Sequence, residues 1–396
     1  MNLDALTAGD RTLFRAVPGL IDLGIGAPDL DLLDGAREAL LAATRRCLQA
    51  PQSTTFLQYG PCAGDPVFRA ALAGLLTERL PGPPAAAEQL FVTAGATSGL
   101  ALAARCFFET GMTALIEDPT YFLARKVIEE CGLRLDPVPQ DGEGLRTDVL
   151  ARKLAALPPA PDGRRFRAML YLVPTFNNPT GGILSAARRQ EIVALARRHE
   201  VLVVCDDVYD LLAFDDAPRP QRLVSMEGAE ETVISNGSFS KILGPGVRCG
   251  WIEAHGRLHS DLARSAHARS GGAMSHLTAG ALLELLASGD QGRLLDGLRE
   301  TYRTRCAALC DALEEHLPEA TIERPRGGFF VWVRLPPGAA TRAALEACQA
   351  QGVRYQPGAW FGDSDDCLRL SFAHNPAEIL REGARRLGAF WRLRLG

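Results

Sequence analysis

The chain of 396 residues lacks the features that mark several specialised classes of protein. No apolar stretch reaches the ~18 residues that a membrane-spanning helix requires, and we recognise no signal peptide at the N terminus. With a formal net charge of -4 and no dense run of Lys and Arg, the sequence offers no electrostatic basis for binding nucleic acid. We therefore expect neither a membrane nor a nucleic-acid partner.

Ten cysteines are present, but they are scattered and none forms a Cys-x-x-Cys pair. This pattern indicates reduced, structural thiols and favours a cytoplasmic protein. Cys306 and Cys310 share the spacing of one helix face, as do His255 and His259, yet neither pair is accompanied by further ligands. We expect packing for the cysteines, a solvated face for the histidines, and no metal site.

The pattern of apolar residues predicts an α/β protein of two domains. Strands and helices alternate from about residue 46 to 270, which is typical of a mostly parallel sheet with helices on both faces. We predict an N-terminal arm that joins the small domain (1–45), a large domain (46–270) and a smaller α+β domain (271–396). A hydrophobic content of 47% and a mean hydropathy near zero suit such a globular protein.

Lys241 is the most informative residue of the chain. It follows an apolar run that reads as a buried strand and lies in a turn that ends at Arg248. A partly desolvated amine beside a guanidinium has a depressed pKa and is free to form a Schiff base. The hydroxyls of Ser238 and Ser240, together with Arg248, are groups that bind a phosphate. This combination suggests pyridoxal phosphate, whereas a surface lysine in a serine-rich turn is the alternative that the segment alone leaves open.

A second strand, from Val201, ends in the two carboxylates Asp206 and Asp207. Ligands of open α/β sheets bind beyond the carboxyl ends of the strands. A carboxylate at that place keeps a pyridine nitrogen protonated, so that the ring can withdraw electrons from a substrate. We assign this role to Asp206, leave Asp207 as a helix cap, and expect Tyr209 to hold the phenolic oxygen of the ring.

Three more predicted strands end in groups that suit the same ligand. The strand over 168–173 runs into a turn with Asn178, whose amide can donate to the phenolic oxygen. The strand over 90–93 opens into a small-residue loop at Gly95, where a helix start presents free N–H groups to a phosphate. A further strand delivers Tyr121, an aromatic ring that can stack on a flat cofactor.

The order and the residues of these motifs resemble those of the fold-type I pyridoxal-phosphate enzymes, in the class I/II aminotransferase family. The Ser-Phe-Ser-Lys-Ile-Leu form with Pro-Gly-x-Arg is most similar to the branch of 2-aminoadipate, kynurenine and aromatic aminotransferases. The resemblance runs from about residue 21 to the last helix. It implies a large domain with a mostly parallel sheet of a seven-stranded type, a smaller α+β domain, and a cytoplasmic homodimer of amino acid metabolism whose subunits share their active sites.

The resemblance also implies roles for single residues. Lys241 would hold the cofactor as a Schiff base, Asp206 would pair with its pyridine nitrogen, and Tyr121 would stack on its ring. Asn178 and Tyr209 would bind the ring oxygen. The phosphate pocket would be lined by Gly95, Ala96, Thr97, Ser238, Ser240 and Arg248, with Tyr59 supplied by the neighbouring subunit. The substrate would contact Asn178, Arg369, which grips the α-carboxylate, and Gly26, which lies in the loop that closes over it.

The chain departs from the branch at one place in the phosphate loop. Ala96 and Thr97 follow Gly95, where the branch usually has a hydroxyl residue and then a glutamine. The backbone donors survive this change, but the side-chain contacts differ. Arg11 and Arg15 precede the substrate loop and could reach an acidic substrate, although solvated surface charges are the expectation we favour.

The cofactor motifs alone leave three functions open. We favour a transaminase that moves an amino group between an L-amino acid and a 2-oxo acid. The alternative is a γ-elimination, γ-replacement or carbon–carbon bond-forming enzyme, similar to ACC synthase and its substrate S-adenosylmethionine. A ligand-sensing half of a transcription factor is a third possibility, but the resemblance begins near residue 21, so we expect no DNA-binding domain before it.

Overall fold

The computed structural model describes residues 17–214, 219–272, 274–362 and 364–395. Arg11 and Arg15 lie outside the described residues. The strands are β1 (Ile21–Asp22), β2 (Leu90–Thr93), β3 (Thr113–Asp118), β4 (Arg134–Asp141), β5 (Gly144–Leu145), β6 (Ala168–Leu172), β7 (Val201–Asp206), β8 (Val233–Ser238), β9 (Gly250–Glu253), β10 (Thr321–Ile322), β11 (Phe330–Arg334), β12 (Val353–Arg354), β13 (Gln356–Pro357) and β14 (Cys367–Ser371). The α-helices are α1 (Asp34–Gln49), α2 (Pro66–Arg79), α3 (Ala96–Phe107), α4 (Phe122–Glu130), α5 (Thr147–Ala155), α6 (Ala186–His199), α7 (Gly256–Arg264), α8 (Ala266–Gly271), α9 (His276–Ala287), α10 (Asp290–His316), α11 (Thr341–Ala350) and α12 (Ala377–Leu395).

Eight strands form the central sheet in the order β2-β9-β8-β7-β6-β3-β4-β5. The pairs from β8 to β4 are parallel, whereas β9 is antiparallel to both of its neighbours. Seven of these strands have four or more residues, and β5 adds a two-residue strand antiparallel to β4 at one edge. The mostly parallel α/β sheet that the sequence predicts is therefore confirmed.

Both faces of the sheet are buried, because each strand alternates its side chains between two layers of helices. On β7, Val203 and Cys205 face the layer that contains α5 and α6, which we call the α6 face. Leu202 and Val204 point to the opposite layer, with α2, α3, α4 and α7, which we call the α3 face. The strand interiors are accordingly apolar on both sides, as a sheet covered by helices requires.

The C-terminal part forms a second, smaller layer structure. Its antiparallel sheet has the order β10-β11-β14-β13, and α10 packs against α12. The N-terminal segment joins this part, since β1 pairs in parallel with β12. The helices α9 and α10 are separated at Gly289, whose positive φ of 73° ends one helix before the next begins.

The expectation of a solvated face for His255 and His259 is wrong. Both rings are half-buried, because α7 packs on the edge of β2 and turns them toward polar groups at the start of that strand. His255 bonds to the Gln89 side chain at 3.0 Å, and His259 approaches the Leu90 carbonyl at 3.2 Å.

The described residues lack both a cluster that could hold a metal ion and a helix that could span a membrane. Within the described ranges, no group of three or more His, Cys, Asp or Glu side chains is arranged to hold a metal ion. None of the helices in that part of the chain combines the length and the apolar character needed to cross a membrane.

Candidate active site

A cavity of about 680 Å³ lies between the central sheet and the smaller C-terminal part. Its floor is the carboxyl edge of the parallel strands, where loops after neighbouring strands converge. Of the residues predicted to form the site, Gly95 lies directly behind the cavity wall and Tyr59 lies outside the cavity. The others line it: Gly26, Ala96, Thr97, Tyr121, Asn178, Asp206, Tyr209, Ser238, Ser240, Lys241, Arg248 and Arg369.

Asp206 is the last residue of β7 and falls on the α3 face, two residues after Val204. Its Oδ2 accepts a hydrogen bond from the Tyr171 hydroxyl at 2.7 Å, while its Oδ1 is buried without a partner among the described residues. Burial raises the pKa of Asp206 to about 6, against the opposing effects of Tyr171 and the Lys241 amine. A buried acceptor oxygen open to a cavity fits a cationic N–H donor, such as a protonated pyridine.

The expectation that Asp207 caps a helix is wrong, because the short helix Asp210–Leu212 has no side-chain cap and the Asp207 side chain lies on the other side of the sheet. Because side chains alternate along an extended strand, it points to the α6 face, where the Ser235 hydroxyl donates to its carboxylate. Burial, followed by the nearby Asp210 carboxylate, raises the pKa of Asp207 to about 8. The two adjacent carboxylates therefore occupy separate environments, and only Asp206 lines the cavity.

Lys241 lies three residues beyond the end of β8, in the turn that the strand enters. Its Nζ donates to the Gly26 carbonyl at 3.2 Å, from inside the cavity. Burial lowers the pKa of Lys241 to about 8, and the cations Arg369 and Arg248 lower it further, whereas Asp206 raises it. The depressed pKa expected from the sequence is present, but desolvation contributes more to it than Arg248 does.

The start of α3 and the Arg248 side chain form one wall of the cavity. The helix begins at Ala96 with no side-chain cap, so its first N–H groups are open to a ligand. Gly95 has a φ of 91°, and a Cβ there would lie 2.9 Å from the Arg248 guanidinium. The hydroxyls of Ser238 and Ser240 lie 3.0 Å apart beside them. Open N–H groups, a guanidinium and two hydroxyls together provide an anion site of the kind that binds phosphate.

Arg369 is a buried cation that forms no salt bridge with a carboxylate of the described residues. Its side chain is 3% exposed, and its guanidinium stacks on Phe330 at 4.0 Å and on Phe361 at 4.9 Å from the ring centroids. It donates to the Gly24 carbonyl at 2.7 Å and to Asn178 Oδ1 at 3.0 Å, while no carboxylate in the described part of the chain pairs with it. Burial lowers the pKa of Arg369 to about 10. An unpaired, desolvated guanidinium is a receptor for a carboxylate.

Three aromatic or amide side chains complete the floor and the far wall. Asn178 is buried in the loop after β6, and Tyr209 packs edge-on against Phe330 at 5.8 Å. Burial raises the pKa of the Tyr209 phenol well above its usual range, so it stays protonated. Tyr121 stands directly before α4 with its half-buried ring on the cavity wall.

Gly26 is required for the close approach of its loop to the C-terminal part. A Cβ at this position would lie 2.9 Å from the Phe330 ring, which stacks on Arg369. Tyr59, in contrast, is not brought to the cavity of its own chain, and 79% of its surface is exposed.

Two residues behind the cavity were not found by sequence reasoning. Tyr171 holds Asp206 from the neighbouring strand. Glu117 on β3 is 1% exposed and accepts hydrogen bonds from the Val173 N–H at 2.7 Å and from Asn177 Nδ2 at 3.0 Å, next to Asn178. The available signal was an ionisable residue inside an otherwise apolar strand, within two residues of the strand's carboxyl end.

Comparison with known proteins assigns the family. The model of the family described as "Aminotransferase class I and II" matches residues 18–387. The chain belongs to this family. It is a pyridoxal-phosphate-dependent transferase of amino groups, and the site offers groups of matching chemistry in the open Oδ1 of Asp206 and the anion site at α3.

The similar proteins cover most of the chain. It is 34% identical to aromatic-amino-acid aminotransferase 1 of Thermococcus litoralis, over 84% of this chain and 79% of that protein. It is 32% identical to 2-aminoadipate transaminase of Thermus thermophilus, over 94% of this chain and 90% of that protein. The crystal structure of LysN, an α-aminoadipate aminotransferase of Thermus thermophilus complexed with N-(5'-phosphopyridoxyl)-L-leucine, matches with a TM-score of 0.82 and 30% identity, over 96% of this chain and 94% of that one.

The depressed pKa of Lys241 predicts how cofactor capture by the apoprotein depends on pH. Only the neutral amine attacks the cofactor aldehyde, so the rate of capture rises with pH and levels off near pH 8, where the pKa of Lys241 lies. Stopped-flow absorbance between about pH 6.5 and 10 measures this rate. Asp206→Asn removes the anion that raises this pKa, so it moves the plateau to lower pH. A rate that keeps rising to about pH 10, as for an ordinary lysine, would contradict the assignment.

Proposed function

We propose that this chain transfers the amino group of an L-amino acid to a 2-oxo acid, with Lys241 as the proton-transferring base and Arg369 as the carboxylate receptor. The observation that carries the proposal is that one cavity is lined by a lysine with a depressed pKa and by a buried guanidinium that pairs with no carboxylate of the described residues. These two groups match the amino and carboxylate ends of an α-amino acid. When bound, pyridoxal phosphate supplies an electron-withdrawing ring that stabilises negative charge at the substrate α-carbon.

Lys241 acts at two atoms in this proposal. Lys241 would hold the cofactor at its aldehyde carbon and would give up this place to the amine of the substrate. The released amine has a pKa of about 8, so it can take the proton from the substrate α-carbon near neutral pH and return it to the cofactor carbon. The carbonyl of Gly26, which accepts from Nζ at 3.2 Å, keeps the amine within the cavity.

The other residues of the site would hold the cofactor and the substrate in a fixed relative position. Arg369 binds the α-carboxylate in two parallel hydrogen bonds, and its contact with Asn178 ties the substrate to the ring-binding loop. Asp206 would hold the ring nitrogen, Tyr209 and Asn178 would hold the ring oxygen, and Tyr121 would cover the ring. The side chains of Ser238, Ser240 and Arg248 would anchor the phosphate, together with the backbone N–H groups of Ala96 and Thr97 at the start of α3.

γ-Elimination or replacement on a substrate such as S-adenosylmethionine is not favoured, because the similar proteins cited above are named as aminotransferases. The two activities differ in what remains on the enzyme after one turnover. A transaminase retains the amino group, whereas an elimination enzyme returns to its starting form without an oxo acid.

A half-reaction tests the transaminase proposal. Amino acid alone converts the absorbance of the bound cofactor to that of its aminated form and releases one oxo acid per site, and 2-oxoglutarate restores the original spectrum. A panel of amino donors finds the substrate, and Lys241→Ala serves as the inactive control. Sustained turnover of S-adenosylmethionine without an oxo acid, and no half-reaction with any amino acid, would contradict the proposal.

We also propose that the protein works as a homodimer in which Tyr59 reaches the phosphate site of the partner. Tyr59 is exposed, and its loop packs on α9, since a Cβ at Gly60 would lie 2.8 Å from the His276 ring. The adjacent Ser275 donates to the Arg248 carbonyl at 2.9 Å. The Tyr59 loop and the anion site therefore lie near one another on one side of the chain. A two-fold symmetric dimer requires this if each subunit is to place its Tyr59 at the anion site of the other.

The apolar surface around Tyr59 supports the same proposal. Leu48, Leu57 and Leu277 are exposed on α1, on the loop before Tyr59 and on α9, which pack together. Such a grouping of exposed apolar side chains is typical of a surface that binds another protein. The ten free cysteines support a reducing compartment, and we propose the cytoplasm.

Subunit complementation tests the shared site. Lys241→Ala and Tyr59→Ala are mixed, unfolded and refolded together at limiting cofactor. A hybrid dimer holds one site with both wild-type side chains, so the mixture regains roughly a quarter of wild-type activity.

The matched control mixes Lys241→Ala with Arg369→Ala. Both side chains line the cavity of a single chain, so no hybrid contains an intact site and activity stays lost. Absence of recovery with Tyr59→Ala, or equal recovery in both mixtures, would contradict the exchange of Tyr59.

A further inference from the structure

Tyr171 is a buried phenol directly beneath the candidate active site. It lies on β6, is fully buried, and donates its hydroxyl proton to Asp206 Oδ2 at 2.7 Å.

The register of the sheet explains the contact. Tyr171 pairs with Val204 in the parallel ladder between β6 and β7. Asp206 follows Val204 by two residues, so both side chains point to the α3 face and meet along the diagonal of the ladder. On the other side, Tyr171 pairs with Ile116 of β3, which keeps the ring between two apolar strands.

The two oxygens of Asp206 have different surroundings as a result. Tyr171 occupies Oδ2, and Oδ1 remains without a partner in the described structure. A carboxylate with one oxygen held from below presents the other oxygen in a single orientation. The Tyr171 ring cannot give up its proton to become an acceptor, because burial and the neighbouring Asp206 carboxylate raise its pKa well above the usual range.

The hydrogen bond also affects the charge of Asp206. A buried carboxylate and a pyridine nitrogen share one proton, and the pair is either ionic or neutral. Burial favours the neutral pair, whereas a donor on the carboxylate favours the ionic pair. The Tyr171 hydroxyl opposes the effect of burial on Asp206, together with the more distant Lys241 amine.

We propose that Tyr171 is a positioning residue that keeps Asp206 ionised and oriented toward the ring nitrogen of the cofactor. The proposal rests on the assignment of Asp206 in the proposed function. Through Asp206, Tyr171 controls how strongly the ring withdraws electrons, without touching substrate or cofactor itself.

Tyr171→Phe removes only the hydroxyl and is examined as the loaded, resting enzyme. The signal of ¹⁵N-labelled cofactor at the ring nitrogen moves toward the unprotonated position, because the neutral pair gains population. Loss of a hydrogen bond to a charged group predicts a fall in kcat of about 10- to 100-fold. KM stays within about twofold, since Arg369 and the substrate contacts are unchanged.

Tyr355→Phe is the matched control for the loss of a buried hydroxyl. Tyr355 is also fully buried and donates at 2.7 Å, but to the Thr341 carbonyl in the C-terminal part. The Tyr355→Phe variant loses about as much thermal stability as Tyr171→Phe, and its nitrogen signal and kcat are unchanged. In an Asp206→Asn background, Tyr171→Phe has no further effect on the nitrogen signal, because the carboxylate through which it acts is gone.

An unmoved nitrogen signal in Tyr171→Phe would overturn the proposal, as would an equal shift in Tyr355→Phe or in the Asp206→Asn background. The signal is read without substrate. A failed half-reaction in the wild-type protein with a shifted signal in Tyr171→Phe would therefore reject the proposed activity and keep the role of Tyr171.

Discussion

The candidate site depends on burying charged groups that are left incompletely paired within the chain. Among the described residues, Asp206 Oδ1 has no hydrogen-bond partner and Arg369 forms no salt bridge with a carboxylate, and burial lowers the pKa of the Lys241 amine to about 8. Each of these conditions costs folding free energy, because a buried charge is stable only when paired and hydrogen-bonded. A ligand with a cationic ring nitrogen and a substrate with a carboxylate complete the missing pairs, so the cost to folding is recovered on binding.

The fold holds these charges in place through neutral contacts behind them. Tyr171 fixes Asp206 from below, and Phe330 and Phe361 hold the Arg369 guanidinium between their rings. The loop with Asn178 is fixed from the α6 face of the sheet. Glu117 binds it through Asn177 from the strand edge, and Arg189 on α6 donates to the Pro174 carbonyl at 2.8 Å. The site is therefore rigid where it meets the cofactor, which lowers the reorganisation needed during the reaction.

Much of this arrangement follows from the sequence, because strands that end in functional residues must meet at one edge of a parallel sheet. The convergence of Lys241, Asp206, Asn178 and Tyr121 on one cavity needs only the order of the strands. The contacts that support the site could not be predicted from the sequence. Tyr171 meets Asp206 only through the register of β6 and β7, and Arg369 meets Asn178 across 191 residues of chain. The prediction of a solvated face for His255 and His259 was wrong for the same reason, because helical spacing alone does not say which strand covers a helix.

Reductive trapping tests the central claim, that Lys241 is the amine that binds the cofactor. The chain has only three lysines, and Lys126 lines the same cavity, whereas Lys153 pairs with Asp136 outside it. Borohydride treatment of the loaded protein, followed by proteolysis and mass spectrometry of the labelled peptide, identifies the attachment site. The account predicts label on Lys241 and none on Lys126 or Lys153, with no covalent label in Lys241→Ala. Label on Lys126 in the wild-type protein would contradict it.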